Sequence, residues 1–252
     1  MALAQVAQCS APAALPRPRP ELPDAGQPRR LLPIGGYTLA LSWTPQYCFS
    51  PAHRGEFQCS ARAGRFGFTL HGLWPDGRGR DWPQYCRSTA LLPQKVIRDN
   101  LCTTPSAQLL QHEWAKHGTC MTTKPELYFN LSRALYQDIR YPDMTALARR
   151  PSLTVGGFVQ AFAAANPSLR ANMIRVSTTR QGWLQELWLC LDSALDYARC
   201  PGGKPGASLS ARLRITPGPR IAQRPLPARP TPRPALQLKL DMEAAERERA
   251  QD

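Results

Sequence analysis

FTLHGLWP, residues 68–75, and HEWAKHGTC, residues 112–120, decide the fold and hold three of the four histidines of the chain. In the first segment the apolar residues Phe68 and Leu70 alternate with Thr69 and His71. Because successive side chains of a strand point to opposite faces, this pattern predicts a β-strand with one apolar face. We therefore expect His71 at the end of a strand, on the face turned away from the core.

The second segment has the signals of a helix and of its end. Thr104 and Pro105 suit the N-cap and the first turn, and Gly118 is a typical residue just beyond a helix C-terminus. These signals predict a helix over residues 105–117.

The predicted helix brings four polar residues close to one another. At about 100° per residue, Glu113, Lys116 and His117 share one side, and His112 is the neighbour of Lys116 one turn earlier. Together with His71, this set contains imidazoles, a carboxylate and an ammonium group.

Such a set suits the cleavage of RNA through its own 2′-hydroxyl group. That reaction needs a base for the hydroxyl, an acid for the departing 5′-oxygen and positive charge near the phosphorane. Histidine serves in either role near neutral pH, so we expect His71 and His117 to form the acid–base pair. Lys116 and His112 would bind phosphate oxygens, and Glu113 would orient a donor or, when protonated, donate a hydrogen bond. We expect no metal and no cofactor, because the substrate supplies the nucleophile.

These residues also carry a family resemblance. HGLWP followed by HEWxKHGTC is similar to the two active-site signatures of the ribonuclease T2 family, endoribonucleases that cut single-stranded RNA by transesterification through a 2′,3′-cyclic phosphate. The resemblance covers residues 36–215 and includes YTLALSWTPQYC, residues 37–48. It implies catalytic roles for His71, Glu113 and His117, and substrate contacts for His112, Lys116 and Trp74. Asp76 resembles the acidic residue with which some members contact a purine, although the residues after it differ.

Two other functions fit parts of the pattern. Zinc enzymes also carry paired histidines on a helix, but His112 and His117 are five positions apart, about 140° around a helix, and the Lys116 ammonium would repel the ion. This spacing disfavours a metal-dependent phosphodiesterase. The other alternative is a catalytically inactive RNA-binding module on the same fold. Loss of His71 or His117 would mark it, and both are present.

Composition predicts the domain organisation. The 252 residues are 42% hydrophobic, which is enough for one domain with its own core. We expect a ribonuclease T2-like catalytic domain over residues 34–216, between disordered Pro/Arg-rich residues 1–33 and a disordered basic Pro-rich tail, residues 217–252. The net charge of +14 suits a polyanionic partner, although much of it lies in the tails. No apolar run is long enough to span a membrane.

The remaining patterns predict an α+β fold in a single domain, with a central antiparallel-rich sheet packed with helices. The site would lie in a cleft between the His71 strand and the His117 helix. Trp114 follows Leu110 by one helical turn and is expected in the core. Further strands are predicted over residues 36–43, 173–177, 184–191 and 211–215. Further helices are predicted over residues 126–136 and within residues 154–169, the second ended by Asn166-Pro167.

Eight cysteines without metal-ligand spacing favour disulfides and an oxidising compartment. We therefore expect a secreted or periplasmic protein, although residues 1–15 lack the basic start and the continuous apolar core of a signal peptide. The family resemblance implies three pairs, Cys48 with Cys59, Cys86 with Cys120 and Cys190 with Cys200. Cys9 and Cys102 either pair with each other or remain free.

The expected partner is single-stranded RNA, and we expect the enzyme to act as a monomer. DNA should survive, because it lacks the attacking 2′-hydroxyl group. Activity should persist in EDTA and show a bell-shaped pH dependence. His53 is expected at the surface without a catalytic role. The order of residues along the chain leaves open which histidine is the base, and the base preference also stays open.

Overall fold

The computed structural model describes residues 6–60, 64–202 and 206–220. Within these ranges the chain forms six strands and six helices, together with short 3-10 turns. No helix in the same ranges is both long and apolar enough to cross a membrane. The prediction for the C-terminal tail concerns mainly residues 221–252, which lie outside the described residues.

A four-stranded antiparallel sheet forms the centre of the domain. Its order is β4 (Phe68–Gly77), β2 (Ile34–Trp43), β6 (Leu184–Asp192) and β5 (Ile174–Thr178). The strands predicted over residues 36–43, 173–177 and 184–191 are confirmed, with small differences at their ends. β1 (Val6–Cys9) pairs with β3 (Gly64–Phe66) in a separate two-stranded sheet. The predicted α+β fold is confirmed.

The sequence predicts that the strand ends at His71. In the structure the strand continues to Gly77. The residues on either side, Leu70 and Gly72, pair with two adjacent residues of β2, so His71 is the extra residue of a β-bulge. A bulge bends the strand and re-aims a side chain. Because of the extra residue, Leu70 and Leu73 both reach the core, while His71 stays partly exposed.

Six helices pack around the sheet in the described ranges. They are α1 (Thr44–Tyr47), α2 (Gln94–Asn100), α3 (Ala107–Lys116), α4 (Pro125–Asp138), α5 (Met144–Ala148) and α6 (Val155–Ala165). The helices predicted over residues 126–136 and 154–169 correspond to α4 and α6. The second ends at Ala165, just before the Asn166-Pro167 pair that is expected to end it. Asn166 adopts an extended conformation, and its side chain donates a hydrogen bond to the Phe162 carbonyl at 2.9 Å.

α3 begins later than the sequence predicts. Its N-cap is Ser106, whose hydroxyl accepts a hydrogen bond from the Leu109 backbone N–H at 3.2 Å. Thr104 instead donates its hydroxyl to the Leu70 carbonyl at 2.9 Å, which ties the start of α3 to β4. At the other end, His117 lies just after the helix, with a φ of −111° that departs from helical values.

One hydrophobic core lies between the sheet and the helices. Removing each large apolar side chain from water stabilises the fold by roughly 2 kcal/mol. Trp114 is 4% exposed and belongs to this core, as predicted. The largest of the fully buried side chains are Trp43, Tyr128, Tyr136, Phe68, Phe158 and Phe162.

All eight cysteines form disulfides. The three pairs that the resemblance implies are present, and Cys9 pairs with Cys102. The bond from Cys86 to Cys120 joins the segment after β4 to the turn that follows α3. A disulfide that closes a loop reduces the entropy of the unfolded chain, so this bond stabilises the two elements that carry the histidines.

The segment after β1, for which the sequence predicts disorder, runs along the domain and makes defined contacts with it. The disulfide between Cys9 and Cys102 holds its start, and a β-bridge between Arg30 and Gln84 holds its end. Between these two points, Glu21 reaches His112 on α3, with 3.5 Å between its Oε2 and the histidine Nδ1. Residues 10–30 therefore lie against the rest of the domain.

The edge strand predicted over residues 211–215 is not formed. Arg212 and Arg214 make only isolated β-bridges, with Thr154 and Trp183 respectively. This segment closes one side of the core, because Leu213 and Ile215 are buried.

Candidate active site

Two elements bring the predicted site residues together. His71 and Trp74 lie on β4, and the remaining residues lie on α3 or directly after it. The Tyr85 backbone N–H donates to the Lys116 carbonyl at 2.8 Å, which holds the end of α3 against the chain that follows β4. Both histidines of the expected acid–base pair lie against the same indole. The ring centroid of Trp74 is 5.2 Å from that of His71 and 5.8 Å from that of His117.

The His71 imidazole lies between two carboxylates. Its Nδ1 is 2.6 Å from Glu186 Oε1, and its Nε2 is 3.5 Å from Glu113 Oε1. Burial alone would lower the pKa of His71, but the hydrogen bond to Glu186 and the charges of Glu113 and Glu186 outweigh it and raise the pKa. The imidazolium form of His71 is therefore stabilised.

Glu186 is a site residue that the sequence analysis did not identify. It lies on β6, where it accepts hydrogen bonds from Ser42 Oγ at 3.1 Å and from Trp188 Nε1 at 2.9 Å. Burial works to raise the pKa of Glu186, but the hydrogen bond with His71 and the neighbouring donors lower it overall. The signal in the sequence is an acidic residue in the interior of the largely apolar strand LQELWLCLD.

Glu113 lies at the bottom of the site and is 1% exposed. Its Oε2 accepts a hydrogen bond from Trp74 Nε1 at 2.9 Å, and the Tyr128 hydroxyl lies 3.5 Å from the same oxygen. In the part of the chain that the structure describes, Oε1 has no hydrogen-bond partner. Burial raises the pKa of Glu113 to about 7, although the His71 charge and the Trp74 hydrogen bond oppose the change. Near neutral pH this carboxyl group is thus partly protonated.

The glycine of HGLWP makes room for that carboxyl group. A Cβ atom on Gly72 would collide with the Glu113 carboxylate and would lie 3.0 Å from Trp74 Nε1. Only a residue without a side chain lets β4 pass this close to the buried acid.

The other basic groups of the site lie at the end of α3. The ring centroids of His112 and His117 are 6.4 Å apart, and His117 is buried. Burial and the charge of Lys116 lower the pKa of His112, although its Nδ1 lies 3.5 Å from Glu21 Oε2. Burial also lowers the pKa of Lys116, against the opposing charge of Glu113.

The sequence spacing disfavours a metal site, but in the structure that spacing does not keep the side chains apart. Ligand-type atoms of His112, Glu113 and His117 fall within 4.8 Å of one another. The donor set suits a divalent ion such as zinc by residue type. Electrostatics still disfavours an ion, because the Lys116 charge acts on both His112 and Glu113.

Two further residues named in the sequence analysis have other contacts. Asp76 is 7% exposed and accepts a hydrogen bond from the Thr38 hydroxyl at 2.6 Å, within the β2–β4 pairing. His53 pairs with Glu56 at 2.6 Å and stacks on Tyr47 at 4.0 Å between ring centroids. His53 is partly exposed, as expected.

Relatives of known name match most of the domain. A ribonuclease of Aeromonas hydrophila is 34% identical over 162 residues, which cover 62% of this chain and 71% of that protein. A probable ribonuclease of Haemophilus influenzae is 28% identical over 181 residues, which cover 67% of this chain and 61% of that protein. The chain therefore matches less than two thirds of the length of the Haemophilus protein.

Solved structures share the fold. RNase NT in complex with 5′-AMP aligns with a TM-score of 0.57 and 21% identity, over 73% of this chain and 99% of that chain. An RNase-related protein from Calystegia sepium aligns with a TM-score of 0.56 and 23% identity, over 73% of this chain and 98% of that chain. The model of the Ribonuclease T2 family matches residues 34–200, which include both histidine segments and the strand of Glu186. The chain belongs to the ribonuclease T2 family.

Proposed function

We propose that the chain is an active endoribonuclease that cleaves single-stranded RNA without a metal ion, through a 2′,3′-cyclic phosphate. One observation carries this proposal. His71 and His117, from separate elements, both lie against Trp74, at 5.2 and 5.8 Å between ring centroids. Two imidazoles in one cleft can exchange protons with the same phosphodiester.

The two carboxylates beside His71 support its assignment as the general acid of the first step. They stabilise its protonated form, so its Nε2–H is available for the departing 5′-oxygen. His117 then accepts the proton of the 2′-hydroxyl as that oxygen attacks phosphorus. The P–O5′ bond breaks, the cyclic phosphate forms, and the two histidines have exchanged protonation states.

The same groups reverse their roles in the second, slower step. Neutral His71 takes a proton from water as the water attacks the cyclic phosphate, and protonated His117 returns a proton to the 2′-oxygen. The product ends in a 3′-phosphate, and both histidines return to their starting states.

Three residues would stabilise the negative charge of the phosphorane. The Lys116 ammonium and the His112 imidazole would bind nonbridging oxygens. Glu113, with a pKa of about 7, carries a proton part of the time and would donate a hydrogen bond from Oε1, which has no hydrogen-bond partner among the described residues. Trp74 holds the other oxygen of Glu113 and offers its ring face to the substrate.

A pair of matched oligonucleotides tests the proposal. A short oligoribonucleotide should be cut in the presence of EDTA, with the cyclic phosphate detected first and the 3′-phosphate later by mass spectrometry. The 2′-deoxy oligonucleotide of the same sequence should survive, and His71→Ala and His117→Ala should each reduce cleavage by at least about 100-fold, in the range of general acid–base catalysis. Loss of cleavage in EDTA, restored by zinc, would favour the metal-dependent phosphodiesterase. Binding without cleavage would favour the inactive RNA-binding module.

We also propose that the enzyme acts in an oxidising compartment, either secreted or periplasmic, and as a monomer. The four disulfides support an oxidising location. Size-exclusion chromatography with light scattering of the purified protein measures the oligomeric state directly.

A further inference from the structure

We propose that Glu186 is a positioning residue for His71, which holds the imidazole in one tautomer with Nε2 directed into the cleft and supplies a lasting counter-charge to its protonated form. The proposal rests on the function proposed above, because it assigns Glu186 a task in proton transfer by His71. Its starting point is the distance of 2.6 Å between Glu186 Oε1 and His71 Nδ1.

The short contact determines which ring nitrogen carries the permanent proton. An ionised carboxylate only accepts hydrogen bonds, so the Nδ1 of His71 must donate. Nε2 is then the nitrogen that gains and loses its proton, and it is the one that lies 3.5 Å from Glu113 of α3. If the tautomer were reversed, Nδ1 would be the nitrogen that gains and loses the proton, and it faces Glu186.

Glu186 is itself held in place. Ser42 Oγ and Trp188 Nε1 donate to its two oxygens, at 3.1 and 2.9 Å. Ser42 and Glu186 are also direct partners in the pairing of β2 with β6. The carboxylate therefore lies on β6, one of the two central strands of the sheet. His71 lies at the bulge of the edge strand β4. A fixed acceptor at Nδ1 gives the imidazole on this irregular segment a defined orientation.

The two carboxylates around His71 have different electrostatic roles. Glu113 is nearly fully buried, and one of its oxygens has no hydrogen-bond partner among the described residues, so it becomes protonated readily. Glu186 has three donors, from Ser42, His71 and Trp188, and these keep it ionised. Glu186 is thus the carboxylate whose charge stays constant while His71 gains and loses its proton.

Two substitutions separate charge from orientation. Glu186→Gln keeps an acceptor near Nδ1 but removes the charge, so the alkaline limb of the pH profile should move to lower pH by about one unit, the lower end of the effect of a neighbouring charge. Glu186→Asp keeps the charge but shortens the side chain, so kcat should fall about tenfold while KM and the alkaline limb stay nearly unchanged.

A second histidine–carboxylate pair supplies the control. Glu56 Oε1 lies 2.6 Å from His53 Nδ1, outside the set of residues assigned to catalysis. Glu56→Gln removes a carboxylate from an equally short contact, and we expect its pH profile to superimpose on that of the wild type. A titration of the His71 ring protons by NMR gives a readout that does not depend on turnover, and Glu186→Gln should lower the pKa that it measures.

The outcomes distinguish the inference from the function on which it rests. If the wild type does not cut the oligoribonucleotide, the proposed function fails. If the wild type is active and the Glu186→Gln profile matches it, the positioning role is contradicted and the function stands. A residue that only stabilised the fold would lower the melting temperature or the yield without moving the alkaline limb. Should Glu186→Gln fail to fold, a wild-type kcat for Glu186→Asp would contradict the proposal.

Discussion

Replacing Glu113 by glutamine should stabilise the protein at alkaline pH while it reduces catalysis. Burial raises the pKa of Glu113 from 4.5 to about 7, so the folded state binds a proton more tightly than the unfolded state does. The stability that this protonation gives is complete below pH 4.5 and is lost as the pH rises through 7. At about 1.4 kcal/mol for each unit of pKa, the loss amounts to about 3 kcal/mol.

The substituted amide would be neutral at every pH and could still accept the hydrogen bond from Trp74. The free energy of unfolding of Glu113→Gln should therefore match that of the wild type near pH 4 and exceed it by about 3 kcal/mol near pH 9. Cleavage of RNA should fall at least about tenfold, because the amide is a weaker donor to the phosphorane than a protonated carboxyl group.

Urea unfolding with intact disulfides, followed by tryptophan fluorescence at pH 4, 6 and 9, measures the difference. Glu126→Gln, which alters an exposed carboxylate on the first turn of α4, is the matched control, and its difference from the wild type should be small at every pH. If the Glu113→Gln difference is the same at pH 4 and pH 9, burial does not raise the pKa of Glu113 and the reasoning fails.

Three more perturbations test other parts of the site. Gly72→Ala should lower the free energy of unfolding by about 2 kcal/mol and nearly abolish cleavage, because the new methyl group displaces the Glu113 carboxylate. An active variant with a wild-type melting temperature would contradict this packing. Changing Cys86 and Cys120 together to serine opens a loop of 34 residues and should lower the free energy of unfolding by about 3 to 4 kcal/mol in urea. Glu21→Gln removes the carboxylate 3.5 Å from His112 and should lower KM for RNA several-fold at unchanged kcat, whereas an unchanged KM would mean that Glu21 does not compete with the substrate phosphate.

Local patterns predict the two central elements because their signals lie within one turn or one strand. The HEWAKH helix and the strand that leads to His71 need only neighbouring residues for their recognition. The position of the N-cap differs from the prediction because Thr104, a suitable cap by residue type, is recruited by the Leu70 carbonyl of another element. A tertiary hydrogen bond thus overrides a local preference.

The features that the sequence does not reveal depend on distant partners. Glu186 meets His71 across 115 positions of the chain, and no local spacing relates the two residues. The bulge at His71 is likewise a property of the pairing between β4 and β2 and not of β4 alone. Composition predicts disorder for the segment before residue 34, because composition alone does not show that Cys9 forms a disulfide with Cys102.

That bond makes the N-terminal segment a covalent part of the folded domain. A shortened protein that starts at residue 34 would leave Cys102 as an unpaired thiol just before α3, and it would also remove Glu21 from His112. Such a protein could form mixed disulfides or dimers through Cys102, and its measured kinetics would describe a site without the Glu21 carboxylate beside His112. Expression plans that trim the proline-rich N-terminal segment for convenience should therefore keep every residue from Cys9 onward.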